Sequence, residues 1–372
     1  MSFVYPDYRS RSIYTLANSI ARKLRIDADV STRVLGEVED TDLPLSLVLV
    51  DGLGWEMCEA YGLDISSAER FTTVFPSTTS NVLATLFSAR YPSEHGIIGY
   101  TLYSKRLGVV VNTLEYTAAQ GFGRDMLAKV EPMASMFYFR STVKSACDMG
   151  KRVLIIQPSN IWQSEYSRML YGTAEIQTYK TVFDAFQVYR NALEKGYDFV
   201  HLYIPYVDQM AHAYGPSSDP TVESARYIFS RVLSVFEQFR GRWRFLLTAD
   251  HGHIELSERV VMNDNQDLMG LLNCPPYGDP RAVMIRGGQD AARYFEERYG
   301  NMQVFAKNSE ELKGLMGPSK GPRLDDVMPD FIAVPTDNRG YFYNFRNSNP
   351  PTMVGSHSGL SASEMYIPLL IL

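Results

Sequence analysis

Four apolar runs, spaced far apart along the chain, constrain its fold more than any other feature. They are rich in Val, Leu, Ile and Phe and occupy residues 45–50, 153–156, 199–204 and 245–249. Continuous apolar runs of this length that end at a polar turn are typical of parallel strands buried on both faces. Helical stretches such as residues 12–25 and 221–240 alternate with them. The sequence therefore predicts an α/β fold, a three-layer α/β/α sandwich around a largely parallel mixed sheet.

The chain of 372 residues is long for one hydrophobic core, which favours a single large domain with an insertion. Between residues 256 and 350, pairs such as Pro275-Pro276 and Gly317-Pro318 separate short helical and strand-like pieces. We expect this segment to form a smaller α+β, cap-like subdomain. Residues 1–255 and 351–372 would form the core, and residues 366–372 its last strand.

Composition excludes several classes of partner. The chain is 45% hydrophobic and 21% charged with a net charge of −6, and it has no basic patch suited to duplex nucleic acid. No apolar run approaches the length of a membrane span, and residues 1–7 do not resemble a leader peptide. We therefore expect a cytoplasmic protein with no membrane partner. The three scattered cysteines fit free thiols better than disulfides or a thiolate metal site.

Acidic residues follow three of the apolar runs. Asp51 and Asp250 come directly after theirs, and Asp208 comes four residues after residue 204. In open parallel sheets ligands bind beyond the carboxyl ends of the strands, so we expect these carboxylates to lie together. Three histidines complete a candidate metal-binding set: His212, His251 and His357.

Residues 72–81 contain six Ser or Thr side chains and precede a helical stretch at residues 82–87. A hydroxyl at a helix start most often caps the helix, but the same position offers N–H groups to a phosphoryl oxygen. With the acids and histidines, this segment supplies enough ligands for two divalent cations beside an activated hydroxyl.

Taken together, these residues resemble the alkaline phosphatase superfamily, and within it the type I phosphodiesterase/nucleotide pyrophosphatase family. Residues 49–52 (Leu-Val-Asp-Gly), 76–79 (Pro-Ser-Thr-Thr) and 91–97 (Tyr-Pro-Ser-Glu-His-Gly-Ile) carry the resemblance. Counting back from His95 by the family spacing favours Thr79 over Thr78 as the nucleophile.

The resemblance implies two divalent metal ions, zinc by preference and manganese as the alternative. One would be held by Asp208, His212 and His357. The other would be held by Asp51, Asp250, His251 and the Thr79 oxygen. It also implies two-step hydrolysis through a covalent phosphothreonine at Thr79.

One position departs from the family pattern. The nucleotide pyrophosphatases have an asparagine five residues after the histidine that corresponds to His95, and this chain has Tyr100 there. The Tyr100 hydroxyl or the side chain of Asn112 would have to contact the phosphoryl group instead, or Tyr100 is a packed aromatic residue. The departure leaves the nucleotide preference open.

The resulting hypothesis is a metal-dependent phosphodiesterase or nucleotide pyrophosphatase that hydrolyses a small phosphate ester or anhydride. The alternatives are a phosphomonoesterase or a phosphonate or sulfate ester hydrolase on the same site, and, less favoured, a phosphoglycerate mutase or an inactive binding protein. We expect His95 and His201 to be structural and His253 to have no role in the site. The sequence does not indicate the oligomeric state.

Overall fold

The computed structural model describes residues 2–121, 123–346 and 352–372, and its secondary structure alternates strands and helices as expected. In this part of the chain the strands are β1 (Leu45–Val50), β2 (Glu69–Thr72), β3 (Thr101–Ser104), β4 (Val109–Asn112), β5 (Thr117–Ala118), β6 (Val153–Pro158), β7 (Glu175–Tyr179), β8 (Phe199–Ile204), β9 (Arg244–Thr248), β10 (Ile254–Glu255), β11 (Glu258–Val261), β12 (Tyr277–Asp279), β13 (Ala282–Ile285), β14 (Met302–Ala306), β15 (Phe331–Pro335), β16 (Arg339–Phe342), β17 (Gly355–Ser356) and β18 (Tyr366–Ile371).

The helices are α1 (Ile13–Lys23), α2 (Gly36–Glu39), α3 (Trp55–Ala60), α4 (Thr79–Ser88), α5 (Pro92–His95), α6 (Met133–Met136), α7 (Thr142–Asp148), α8 (Glu165–Tyr171), α9 (Val182–Leu193), α10 (Tyr206–Tyr214), α11 (Asp219–Gln238), α12 (Gln266–Met269), α13 (Gln289–Arg293), α14 (Glu310–Met316), α15 (Leu324–Val327) and α16 (Ala362–Met365). A 3₁₀ turn at Met126–Lys129 and a π-helical turn at Tyr294–Arg298 complete the set.

A seven-stranded sheet in the order β2-β18-β9-β1-β8-β6-β7 forms the centre of the fold. Strands β9, β1, β8, β6 and β7 are parallel to one another, and β18 is antiparallel to both β9 and β2. All six residues of β1, β6 and β8 are buried, as expected for strands covered on both faces. The prediction of a largely parallel mixed sheet is confirmed.

Helices cover both faces of this sheet. Successive strand residues point to opposite faces. On one face, the His201 ring of β8 contacts the rings of Phe87 in α4 and Tyr171 in α8. On the other, Ser46, which is in register with the residue before His201, is hydrogen-bonded to Tyr189 of α9. The central sheet is therefore the middle layer of three.

The segment that follows β10 contains a second sheet, antiparallel, in the order β12-β13-β15-β14. One face of it, with Ala282 and Met284, joins the main hydrophobic core, and the other, with Val283 and Ile285, packs in a smaller cluster. Strands β10 and β17 pair with each other and bring the two ends of the segment together. The division into residues 1–255 with 351–372 and residues 256–350 stays a prediction, and its boundary at 350/351 and its start at residue 1 lie outside the described residues.

A buried ion pair joins the second sheet to the core. Arg281, in the turn between β12 and β13, and Glu364 of α16 are both fully buried, with Nε to Oε1 at 2.7 Å and Nη2 to Oε2 at 3.0 Å. Arg281 also donates to the carbonyls of Asp337 and Arg339.

None of the helices described is both long and apolar enough to cross a bilayer.

Candidate active site

Two groups of acidic and histidine side chains meet beyond the carboxyl ends of β1, β8 and β9. One consists of Asp51, Asp250 and His251. The other consists of Asp208, His251, His253 and His357, and in each group the ligand atoms lie within 4.8 Å of one another. The rings of His251 and His357 stack with centroids 3.6 Å apart, so the two groups are contiguous.

In each of the carboxylates of Asp51 and Asp250, one oxygen accepts hydrogen bonds from the protein and the other accepts none. Asp51 Oδ2 accepts a short hydrogen bond from the Tyr203 hydroxyl, and Asp250 Oδ1 accepts from the N–H groups of Gly52 and His251. Asp51 Oδ1 and Asp250 Oδ2 are buried without any hydrogen-bond partner. They lie 3.6 and 3.4 Å from His251 Nε2. Buried carboxylate oxygens without donors are costly unless a cation binds them, so these oxygens fit a divalent metal ion.

Three histidines are oriented by backbone carbonyls. His212 Nδ1 lies 2.9 Å from the Gly355 carbonyl, His357 Nδ1 lies 2.8 Å from that of Ser77, and His251 Nδ1 lies 3.2 Å from that of Gly252. A carbonyl only accepts, so each Nδ1 carries the proton and each Nε2 keeps its lone pair. All three Nε2 atoms approach the carboxylates, which is the arrangement usual for histidine ligands of metals.

Asp208 is the centre of the second group. Its Oδ1 lies 2.9 Å from His253 Nε2, 3.2 Å from His212 Nε2 and 3.7 Å from His357 Nε2. His253 was expected to have no role, but the structure places it, fully buried, against a candidate ligand. Its position two residues after His251 is the sequence feature that points to it, since a turn there returns the side chain to the site. His212 and His357, the histidines predicted as ligands together with Asp208, also lie beside its carboxylate.

Burial and mutual repulsion dominate the electrostatics of the cluster. Burial, and then the charges of Asp250 and Asp208, raise the pKa of Asp51 well above its usual value. Burial also raises the pKa of Asp208, but the adjacent His212 and His253 outweigh it and hold that pKa well below its usual value. Burial and the other histidines lower the pKa of His357, which keeps its imidazole neutral. A bound cation would relieve the repulsion among these carboxylates.

The two candidate nucleophiles separate clearly. Thr79 is the first residue of α4, and its Oγ1 lies 3.2 Å from His251 Nε2, beside the first group. Thr78 is the N-cap of α4, and its side chain lies close enough to Asp279 of β12 to oppose the rise in the pKa of that carboxyl. The geometry thus favours Thr79 at the site and gives Thr78 a partner elsewhere.

Two glycines allow the site segments to approach each other. Gly52 has φ of +76°, and a Cβ there would lie 2.9 Å from both the Asp208 Cα and His253 Nε2. At Gly252 a Cβ would lie 2.1 Å from the Ser363 carbonyl oxygen. A side chain at either position would push apart the segments that carry the candidate ligands.

Tyr100 and Asn112 lie beside the site but not in the cavity that contains Thr79. The cavity lined by Asp51, Thr79 and Asp208, called the Thr79 cavity below, measures about 390 Å³. Tyr100 and Asn112 line a neighbouring one, the Tyr100 cavity, also of about 390 Å³. The Tyr100 and Asn112 side chains lie next to each other in that cavity. A contact between either residue and a phosphoryl group stays a prediction.

His95 and His201 occupy structural positions. Both are buried, and burial lowers the pKa of each to about 3. His95 Nε2 lies 3.0 Å from Thr85 Oγ1, and its Nδ1 accepts from the Ile97 N–H. Since His201 Nδ1 faces the Leu47 carbonyl inside the core, neither imidazole is available to the site.

Comparison with known families gives one match. The model of the family described as type I phosphodiesterase / nucleotide pyrophosphatase matches residues 46–359, a range that contains every predicted ligand. A search of curated protein sequences found no significant match.

Solved structures share this fold at low sequence identity. Murine ectonucleotide pyrophosphatase/phosphodiesterase 5, an inactive variant in complex with AMP, is 15% identical with a TM-score of 0.62, and the match covers 88% of this chain and 87% of that one. The human protein of the same name is 13% identical with a TM-score of 0.64 and the same coverage. Phosphonoacetate hydrolase from Sinorhizobium meliloti 1021, in complex with phosphonoformate, is 15% identical with a TM-score of 0.64, covering 88% and 89%.

Proposed function

Because the chain belongs to the type I phosphodiesterase/nucleotide pyrophosphatase family, we propose that it hydrolyses a small phosphodiester or pyrophosphate with the help of two divalent cations. Membership makes it a hydrolase of phosphoester bonds. The metal dependence, the covalent intermediate and the substrate are our proposals.

The observation that carries the proposal is the pair of buried, partnerless oxygens, Asp51 Oδ1 and Asp250 Oδ2, next to His251 Nε2 and the Thr79 hydroxyl. Asp51, Asp250, His251 and Thr79 would hold one cation. Asp208, His212 and His357 would hold the other, with zinc preferred for mixed Asp and His ligands and manganese as the alternative. When bound, such a pair of cations lowers the pKa of a nucleophilic hydroxyl and stabilises charge on the phosphoryl and leaving oxygens.

The protein itself supplies the nucleophile and its alignment. Thr79 begins a helix of ten residues, so the N–H groups of the first turn and the positive end of the helix dipole lie beside its hydroxyl. The Thr79 hydroxyl would lose its proton to solvent, and Oγ1 would attack phosphorus as the bond to the leaving oxygen breaks. The leaving group would take a proton from solvent. Water would then cleave the bond between Oγ1 and phosphorus and release the product, leaving Thr79 protonated again.

The structural neighbours support two classes of substrate. One was solved with AMP and another with phosphonoformate, both small phosphorus-containing acids. Because Tyr100 replaces the family asparagine, a phosphonate or phosphate monoester remains the second candidate on the same site.

The test compares hydrolysis of bis(p-nitrophenyl) phosphate and p-nitrophenyl phosphate by zinc-loaded and manganese-loaded protein, with a chelator as control. We expect faster, chelator-sensitive cleavage of the diester. Preference for the monoester would support the second candidate, and metal binding without either activity would contradict the enzymatic proposal.

Two adjacent threonines provide a matched pair of variants. Thr79→Ala should abolish turnover and leave the metal content nearly unchanged, because six protein ligands remain. Thr78→Ala should retain most of the activity. In acid-quenched reactions, mass spectrometry should find the phosphoryl adduct on the peptide at Thr79, and an adduct at Thr78 would reverse the assignment.

A further inference from the structure

The backbone register aligns the ends of four adjacent strands at the carboxyl edge of the sheet. Val50 of β1 is in register with Ile204 of β8, and Pro158 of β6 is in register with Tyr179 of β7. Ile156 pairs with Leu202, which places Pro158 level with Ile204. The residues that follow these ends, Asp51, Pro205, Ser159 and Lys180, therefore emerge in a row.

All four of these residues line the Thr79 cavity. Since β1 and β7 are separated by β8 and β6, and adjacent strands lie about 4.8 Å apart, Lys180 is roughly 14 Å from Asp51 along the sheet edge. The lysine side chain spans part of that distance. One end of the cavity thus holds the metal-ligand candidates and Thr79, and the other end holds Lys180.

Among the described residues of the lining, Lys180 is the single cationic one, and the other charged members are Asp51 and Asp208. Its ammonium makes no hydrogen bond or ion pair with any described residue. The nearest acid along the chain, Asp184, is already engaged, since its carboxylate accepts from the N–H groups of Lys180 and Thr181 and from the Thr181 hydroxyl. The positive charge of Lys180 is therefore available to a molecule in the cavity.

The wall between the two ends contains both polar and apolar side chains. Ser159, Asn160 and Gln209 line it, and no described residue is hydrogen-bonded to their side chains. The aromatic residues among the described members of the lining are Tyr203, which is buried and hydrogen-bonded to Asp51, and Tyr206. Two facing rings that would sandwich a planar base are absent from the described lining.

We propose that the Thr79 cavity selects substrates that carry a second negative charge, a carboxylate or a phosphate, on the organic group attached to the reacting phosphorus, and that Lys180 binds this charge. The proposal rests on the phosphodiesterase function proposed above. It names the substrate class: an anionic phosphodiester whose second charge lies on the order of 10 Å from phosphorus, as the strand spacing and the lysine length require.

The test uses matched p-nitrophenyl phosphodiesters whose second ester group is a six-carbon chain. One chain ends in a carboxylate, one in the carboxamide of the same size and one in a phosphate. We expect kcat/KM for the carboxylate ester to exceed that for the carboxamide by about tenfold at low salt, the value of one charge-assisted hydrogen bond at a partly exposed site. The ratio should fall as salt is added. The same ratio is measured for the phosphate ester, as its kcat/KM divided by that of the carboxamide ester. The anion that gives the larger ratio is the preferred group.

Lys180→Gln should bring the carboxylate-to-carboxamide ratio close to one, and Lys180→Glu should invert it. Lys195→Gln is the matched control: Lys195 is also exposed but lies before β8, at the opposite edge of the sheet, so the ratio should stay at the wild-type value.

Two failures are distinguishable. If the wild type cleaves bis(p-nitrophenyl) phosphate but shows no preference among the three esters, or if Lys180→Gln keeps the preference, the inference about Lys180 is wrong and the proposed function stands. If none of the diesters is cleaved by the metal-loaded protein, both are wrong.

Discussion

Replacing Glu364 by Gln should destabilise the protein strongly although the change removes only one charge. Glu364 Oε1 accepts from Arg281 Nε at 2.7 Å and from the Gly359 N–H at 2.8 Å, and Oε2 accepts from Arg281 Nη2 at 3.0 Å and the Ser361 hydroxyl at 2.6 Å. Both charged side chains are fully buried. Burial raises the pKa of Glu364, but Arg281 outweighs it and lowers that pKa, so the pair is ionised at neutral pH.

The expected loss follows from what remains after the substitution. Arg281 would keep two backbone carbonyls as partners but no counter-charge, and a buried charge deprived of its partner costs about 3–5 kcal/mol. With an unfolding entropy of about 2.1 cal/mol/K per residue, this chain gives roughly 0.8 kcal/mol/K, so the melting temperature should fall by about 4–6 °C. The Gly359 contact lies two residues from His357, so metal affinity should fall as well.

The assay is thermal unfolding by calorimetry with and without zinc, with Glu223→Gln as the control. Glu223 pairs with Arg226 at 3.4 Å on the exposed surface of α11, and the same substitution there should change the free energy of unfolding by less than about 0.5 kcal/mol. The double variant Arg281→Met with Glu364→Gln should recover part of the loss, because no unpaired charge remains. The reasoning would be refuted if Glu364→Gln lowered the melting temperature by less than 1 °C. It would also be refuted if the double variant lost more free energy of unfolding than the two single variants lose together.

Three further predictions concern the site. His253→Asn should weaken metal binding by about 10–100-fold, since it removes the contact that orients Asp208, and an unchanged Kd in a metal titration would assign His253 no such role. Burial raises the pKa of Asp279 to about 6, so ionisation of this carboxyl destabilises the folded state as the pH rises from about 4 through 6. The stability of Asp279→Asn minus that of the wild type should therefore be larger at pH 8 than at pH 4. Equal differences at the two pH values would contradict this. Removal of metal with a chelator should lower the melting temperature more at pH 8 than at pH 5. Burial and the charge of Asp250 raise the pKa of Asp51, so the metal-free protein loses stability as the pH rises through that pKa. A chelator effect independent of pH would rule out that explanation.

The sequence predicts the location of those candidate site residues that a regular strand or helix positions. The apolar run at 45–50 became β1, and Asp51 emerged from its carboxyl end because parallel strands end at one edge of a sheet. Asp208 and His212 lie one helical turn apart in α10, as their spacing required. Local periodicity determines such positions, so the sequence reveals them.

The side-chain positions that the sequence did not predict depend on contacts between distant segments. His253 follows a ligand by two residues, and its return to Asp208 requires the turn at Gly252 and the close approach of Gly52, neither of which has a periodic pattern. Contacts of the same kind position Tyr100, whose N–H donates to Asp279 of the second sheet, and its contact with a phosphoryl group stays a prediction. One sequence does not reveal how two sheets pack, and those contacts decide where these side chains point.

Strand β18 follows all other described strands in the sequence, yet it lies inside the central sheet between β9 and β2. Until residues 366–371 have left the ribosome, β9 and β2 each present an unpaired edge, and His357 has only just been synthesised. Exposed strand edges favour association with other chains. The candidate ligands come from positions as far apart as 51 and 357, so the site forms only after residue 357 has been synthesised. Termination before β18 should therefore yield aggregated protein rather than a partly active one.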